Sequence, residues 1–493
     1  MNLRPTTTLP LALATLALCG CLGNSGSPTA PPANVQTYAG DAMFSITWDD
    51  DPLVVYWLFY AQNPTVTPFD LDNNNNPLLN FGYLVPVTSP AIVCNNILHT
   101  IINLSVSGDA GFPPYYVTIN GRTGTAPGGT GSAPVAAVPR PAASTGAPWV
   151  AGSPIPATIR GLGYIPLTSC GYSGVPPQGI FFAVGPAGAI YSSTLAQTVA
   201  GPLTNPGNAP MTWLPGNLPI GFQGNFNAVA GRAGSFNNPG NPNLLVVAVG
   251  DDGVIVRSID GINWQQSNAV PPIEGLQVGN LHDIAFTGAN FIAVGDNGVV
   301  ITSSDGMNWI QSVAAAAANP NRNALRAIRC AGGTCMAVGD NGTTVQTTTG
   351  GAAWNLLQFG TNNWTHIAYG NTNANSDAVY VNGGFALSNQ PINTWVVADN
   401  SGDYGYFAPF TGGNWVAGSS IIAPGIVAVD YSTNFVALDS GGNAWISERG
   451  TTGSWATYSS AQLYASGGTA VGLRSTGQGF VAVGTTGANA ASF

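Results

Sequence analysis

One block of residues recurs through the second half of this 493-residue chain and limits what it can fold into. Phe291-Ile-Ala-Val-Gly-Asp-Asn-Gly298 is followed by Val299-Val-Ile-Thr-Ser303, then by Ser304-Asp-Gly-Met-Asn-Trp309. The same order stands earlier as Val247-Ala-Val-Gly-Asp-Asp-Gly253, Val254-Ile-Val-Arg257 and Ser258-Ile-Asp-Gly-Ile-Asn-Trp264. It stands later as Met336-Ala-Val-Gly-Asp-Asn-Gly342, Thr343-Thr-Val-Gln-Thr-Thr348 and Gly350-Gly-Ala-Ala-Trp354. Gly295 follows Gly250 by 45 residues, and Gly339 follows Gly295 by 44. The apolar run ending in Ala-Val-Gly predicts a strand buried on both faces. Gly-Asp-Asn-Gly predicts a tight hairpin with positive φ angles. A second strand follows, and Ser-x-Asp-Gly-x-x-Trp makes the next turn. A unit of this length is one four-stranded sheet that stays stable only against its neighbours.

Diverged copies extend the series. Phe182-Ala-Val-Gly-Pro-Ala-Gly188 leads to Trp213, and Phe435-Val-Ala-Leu-Asp-Ser-Gly-Gly442 leads to Trp455. Trp395-Val-Val-Ala-Asp-Asn-Ser-Gly402 leads to Trp415 and carries an insertion around residues 370–392. The last copy, Phe480-Val-Ala-Val-Gly-Thr-Thr-Gly487, reaches Phe493 without a tryptophan. Ala147-Pro-Trp149-Val-Ala151, standing alone before the first copy, supplies the missing strand. Pairing strands from both ends removes the open edges of a ring. The expectation is a seven-bladed β-propeller over residues 142–493.

Composition agrees with an all-β fold class. Charged residues are only 6% of the chain, lysine does not occur, and glutamate occurs only at Glu274 and Glu448. Gly, Pro, Asn and Thr replace the good helix formers, which favours short strands and turns over long surface helices. The net charge of -10 provides no clustered basic stripe for nucleic acid. One hypothesis for the lack of lysine is an extracellular setting that is acidic or protease-rich.

The N-terminus carries a targeting signal. Arg4 precedes a short apolar run from Leu9 to Leu18, too short to span a bilayer. Leu18-Cys19-Gly20-Cys21 resembles the bacterial lipobox, which implies a signal peptide over residues 1–20 and lipidation of Cys21. Several acyl chains anchor stably where one does not. Leu22 stands where an Asp would favour inner-membrane retention, so an outer-membrane lipoprotein is expected. Residues 21–33 read as a flexible tether.

Residues 34–141 resemble a fibronectin type III domain. Phe44-Ser-Ile-Thr-Trp48 alternates as a half-buried strand, Val54 to Tyr60 reads as the next, and Tyr115 to Ile119 follows a Gly/Pro turn. A leucine, a turn and then a tyrosine resemble that family's tyrosine corner. Asp70-Leu-Asp72-Asn-Asn-Asn-Asn76 begins like a calcium loop but lacks its glycine and its final acidic residue. It reads as a solvated loop, and no metal or cofactor is expected.

The turn made by Ser258, Asp260, Gly261 and Trp264, and again by Ser303, Asp305, Gly306 and Trp309, resembles the Asp-box of sialidases and of photosystem II assembly-factor-like propellers, one residue shorter between Asp and Gly. The resemblance implies a structural role: the carboxylate accepts turn N–H groups and the tryptophan wedges against the sheet. Cys330 and Cys335 flank a predicted hairpin and suit a local disulfide in an oxidising envelope. Cys94 and Cys170 remain and are expected to pair, locking the sandwich to the first blade.

Sialidase-like chemistry needs three arginines on a substrate carboxylate, a Tyr/Glu pair and an acid/base Asp. Arg322, Arg326 and Arg329 are the only arginine cluster, and Glu274 sits in a Pro-rich loop, so both read as solvated loop features. His282 and His366 each open a unit's first strand and read as hydrogen-bonded rim residues. The assembly-factor resemblance implies instead a non-enzymatic scaffold with Arg322, Arg326 and Arg329 as its binding patch. The lipid anchor, the sandwich and the lack of lysine depart from that family, so a photosynthetic role is not implied. The partner is read as an envelope or extracellular protein, or a glycan, with self-assembly into a surface layer or filament as the alternative.

Overall fold

The computed structural model describes residues 27–40, 43–67, 85–101, 114–137, 149–166, 179–194, 212–232, 244–271, 277–371, 378–387, 393–418, 421–450, 455–475 and 480–492, with short breaks inside some of these stretches. The expectations for the signal peptide, Cys21, the Asp70 loop, Glu274 and the Cys94–Cys170 pairing lie outside the described residues.

The repeated apolar runs fold as the second strand of successive four-stranded antiparallel sheets. Leu245–Gly250 and Phe291–Gly295 are buried along their whole length, as a strand flanked on both faces must be. Their sheets are Phe226–Arg232, Leu245–Gly250, Ile255–Ser258, Trp264–Gln266, and Leu281–Phe286, Phe291–Gly295, Val300–Ser303, Ile310–Gln311. A sheet led by Gly161–Pro166 precedes them, and sheets led by Leu325–Ala331, His366–Asn371, Ile426–Tyr431 and Ala470–Ser475 follow. Seven such sheets occur among the described residues after 149, numbered first to seventh below. Each leading strand packs beside the next, and Ala470–Ser475 packs back against Gly161–Pro166, so the sheets form a closed β-propeller ring.

The outer strand of the seventh sheet comes from the other end of the segment. Val150 and Ala151 pair with Ala491 and Ala490. The insertion in the fifth sheet forms a small hairpin, Ala378–Val381 against Gly384–Leu387.

Tryptophans hold each sheet to the one before it. Trp264 meets Phe182 edge-on with ring centroids 6.0 Å apart, and Trp309 shares a cluster with Val247 and Val249. Trp354 packs with Ile292 and Val294, Trp455 meets Tyr404, and Trp415 joins Met336 and Val338. Trp213 packs with Val481 and Val483, and Trp149 with Ala428 and Val436. The wedge therefore acts between sheets, burying large aromatic area at every joint.

The Gly-Asp-Asn-Gly turns need one correction. Asp252, Asn297 and Asn341 take the left-handed conformation, with φ of 54°, 54° and 52°, as a tight turn requires. The glycine before each turn is instead extended, at φ -167° for Gly250 and -170° for Gly339. Glycine is required there for space: a Cβ at Gly339 would run into the Ala324 carbonyl, and one at Gly250 into that of Asn225.

The N-terminal segment forms two four-stranded sheets of its own. Gln36–Gly40, Met43–Asp49, Asn96–Ile101 and Ala91–Val93 make one; Val85–Pro86, Val55–Ala61, Tyr115–Arg122 and Val135–Ala137 make the other. Ile46 and Trp48 meet Tyr56, Leu58, Val117 and Ile119 between the layers, with Trp48 edge-on to Tyr56. Residues 27–33, expected as tether, are ordered against these sheets. Thr29 N–H donates to Gly121, Thr123 N–H to Ser27, and Asp49 N–H to Ala33. Backbone groups beside an uncovered strand end gain more by pairing than by remaining solvated in a free linker.

Candidate functional site

The leading strands converge on one cavity of about 180 Å³ in the ring channel. In five sheets the leading strand carries a β-bulge one residue from its start, and the extra residue is Asn227, His282, Arg326, Val427 or Val471. A bulge re-aims the residue that it inserts, and all five line the cavity. Arg160, just before the first sheet, and His366, at the start of the fifth, complete this rim. Asp283, Arg329 and Arg474 also line the cavity, further along the same strands.

The aspartates of the Gly-Asp turns grip the rim. Arg160 Nη1 bonds Asp251 Oδ2 at 2.9 Å and Asn227 Oδ1 at 3.1 Å, while Asn227 Nδ2 donates to Asp251 Oδ1. Burial pushes the Asp251 carboxyl up, but bonds from Asn227 and Arg160, with the Arg160 charge, hold it below the usual range. Arg326 binds Asp340 with two nitrogens, Nε at 2.9 Å and Nη2 at 2.6 Å. That forked bond raises its pKa further. His282 Nε2 faces Asp296 Oδ1 at 2.7 Å and Arg326 Nη1 at 3.0 Å.

Deeper in the channel, Asp283 Oδ2 accepts from the Ile328 N–H and from Arg329 Nη1 at 3.4 Å, which docks the third sheet onto the fourth. Arg474 Nη1 donates to the Leu473 carbonyl. His366 Nε2 faces two acceptors, Asn400 Oδ1 and the Ile426 carbonyl, so that nitrogen carries the proton. Burial lowers the His366 pKa, with nearby Arg329 acting in the same direction, and the ring is neutral at pH 7.

The expected patch is divided by the fold. Arg326 and Arg329 line the cavity, whereas Arg322 is exposed in a turn after Asn319, at φ 53°, and lies outside it. Three residues spaced four and three apart share a face only on a helix, and Arg326 and Arg329 lie on a strand. Arg160, Asn227 and Arg474 join the site without having been singled out in the sequence. Asn227 occupies the same bulge as His282 and Arg326, and Arg474 stands three residues after its bulge as Arg329 does, so a comparison of the leading strands points to both; Arg160, ahead of the first sheet, carries no such signal.

The remaining motif residues stand away from the cavity. Asp260 Oδ1 accepts the N–H groups of Ile262 and Asn263, and Ser258 Oγ accepts that of Gly261. Asp305 and Ser303 repeat this on Met307, Asn308 and Gly306. Burial raises both carboxyl pKa values, but these bonds outweigh it and hold both below the usual range. Cys330 and Cys335 are directly opposite in their hairpin and form a disulfide. Among the described residues no three His, Cys, Asp or Glu side chains are placed to hold a metal ion.

No protein-family model matches the chain, and no curated protein matches it in sequence. Solved structures resemble it at a distance. YCF48 bound to a D1 peptide is 16% identical, with 70% of this chain and 96% of that chain covered at a TM-score of 0.47. YCF48 from Cyanidioschyzon merolae is also 16% identical, over 70% and 98%, at 0.45. The WD40 propeller domain of Doa1 is 10% identical, over 69% and 94%, at 0.43. Likeness this remote says nothing of activity, and the ring is read from its own sheets.

Proposed function

We propose that the chain is a non-catalytic binding scaffold whose propeller presents its channel mouth to an acidic segment of an envelope or extracellular protein, or to an acidic glycan. One observation carries the reading: Arg160, just ahead of the first sheet, and His282 and Arg326, inserted by bulges in the third and fourth, share a rim whose aspartate partners can be exchanged for those of a ligand. In this reading the seven sheets are the blades of a ring closed by strands from both ends. The repeated turns are shortened Asp-boxes, and the preceding sandwich is a fibronectin type III-like spacer. Cys21 anchors the chain to the outer membrane, and no cofactor takes part.

Two experiments test it. Metabolic acyl labelling should mark the wild type and not Cys21→Ser. Affinity capture from native envelopes should recover a partner that Arg160→Gln with Arg326→Gln loses; equal recovery by both would sink the scaffold reading.

Self-assembly is the second reading. Leu214, Ile259, Ile262, Ile310 and Leu356 are exposed apolar side chains on the outer parts of four successive sheets. A strictly monomeric elution at high concentration would remove it.

A further inference from the structure

The chain is acidic overall, yet several of its few cations stand at one place. Of 11 arginines and no lysine, Arg160, Arg326, Arg329 and Arg474 line the channel cavity. Asp283 is the only carboxylate among the lining residues. Three of these arginines have a carboxylate in contact: Arg160 with Asp251, Arg326 with Asp340, and Arg329 with Asp283. Arg474 differs. Its Nη1 bonds a backbone carbonyl, and it forms no ion pair among the described residues. Asp430, on the neighbouring leading strand, is turned to the N–H groups of Tyr431 and Ser475.

A guanidinium enclosed without a carboxylate in contact costs free energy that the more distant Asp430 and Asp283 return only in part. Burial pushes the Arg474 pKa down to about 10, and the Arg329 charge lowers it too, against the pull of Asp430 and Asp283. The group remains charged at neutral pH, held beside a second arginine that faces the same space. Guanidinium groups match tetrahedral oxyanions through paired N–H donors. The cavity volume of about 180 Å³ suits a small ion rather than a drug-sized ligand, whose pockets begin at roughly 300 Å³.

We infer that the channel cavity is a binding site for a small tetrahedral oxyanion of the phosphate class, held between Arg474 and Arg329, with Asp283 positioning Arg329. The site deepens the scaffold reading by naming what the channel itself holds, and its test needs no protein partner, so the two can fail separately. The sixth and seventh sheets offer Val427 and Val471 at the rim and so add no carboxylate to repel the ion.

The probe is inorganic phosphate, titrated calorimetrically into the full chain at constant ionic strength and about pH 8, where the ion is a dianion. The wild type should give saturable binding, and phosphate should raise its melting temperature. Arg474→Gln should weaken binding by about 10- to 100-fold, the worth of one charged hydrogen-bonding group. Without phosphate it should melt at or above the wild-type temperature, because a charge only partly compensated has been removed. Arg474→Lys should fall between them, and Arg322→Gln, outside the cavity, should bind as the wild type does. No saturable binding by the folded wild type overturns the inference, as does equal binding by Arg474→Gln. If Arg474→Gln melts well below the wild type, Arg474 is a structural brace and the inference also fails.

Discussion

Ala151 and Ala490, from opposite ends of the propeller segment, are partners in one antiparallel ladder, and Trp149 beside them packs on the sixth sheet. The ring is thus held shut by a short strand and one wedge. Trp149→Ala should cost about 2 kcal/mol through lost apolar burial, and deleting residues 147–151 should cost more by opening an edge. Thermal unfolding checks both; an unchanged melting temperature for the deletion would mean that the ring closes without this strand.

Gly339 has an ordinary extended backbone, so its constraint is contact rather than conformation. Gly339→Ala would place a methyl against the Ala324 carbonyl inside the buried ladder. We predict a loss of about 3 kcal/mol, typical of overpacking at a site that cannot yield. Gly332→Ala, at a hairpin tip with open space, should cost less despite its positive φ. Chemical denaturation of the pair would reveal a reversed order if the reasoning is wrong.

Acid stability should show two limbs. His366 has a lowered folded pKa, so its contribution is complete above the unfolded value of about 6.5 and declines as pH falls below it. Asp251, Asp260 and Asp305 are likewise depressed, so theirs is complete above about 4 and is lost only as pH falls further. A stability-versus-pH series should therefore slope gently below about 6.5 and steeply only below about 4. His366→Gln should flatten the upper limb. Collapse already complete at about pH 4 would count against an acidic habitat.

Arg326 is bound through both Nε and Nη2, a geometry that an ammonium cannot copy. Arg326→Lys should consequently lose nearly as much stability as Arg326→Gln, about 1 kcal/mol for a part-exposed pair. Full recovery by lysine would show that charge alone matters there.

The repeat was legible because each of its parts is decided within a few residues. Apolar runs such as Phe291–Gly295 make buried strands, Asn297-Gly298 sets the turn, and Ser303 with Asp305 satisfies the next one. The sandwich core was legible for the same reason, since Ile46 and Trp48 fall on one face by simple alternation. The arginine patch is divided because closeness in sequence is not closeness in space. Arg322 and Arg326 part company at a strand start, while Arg329 and Arg474, far apart in the chain, share a cavity.

The sequence by itself determined the repeat, its hairpins and the need to close a ring, because periodicity and turn chemistry act locally. Only the tertiary structure decided which side chains meet at the axis. Some of those residues enter through bulges in the leading strands, others stand further along the same strands, and their neighbours come from other sheets. Closure by Trp149 spans both cases: the missing wedge can be read from the repeat, but the sixth-sheet surface that receives it exists only once the ring has formed.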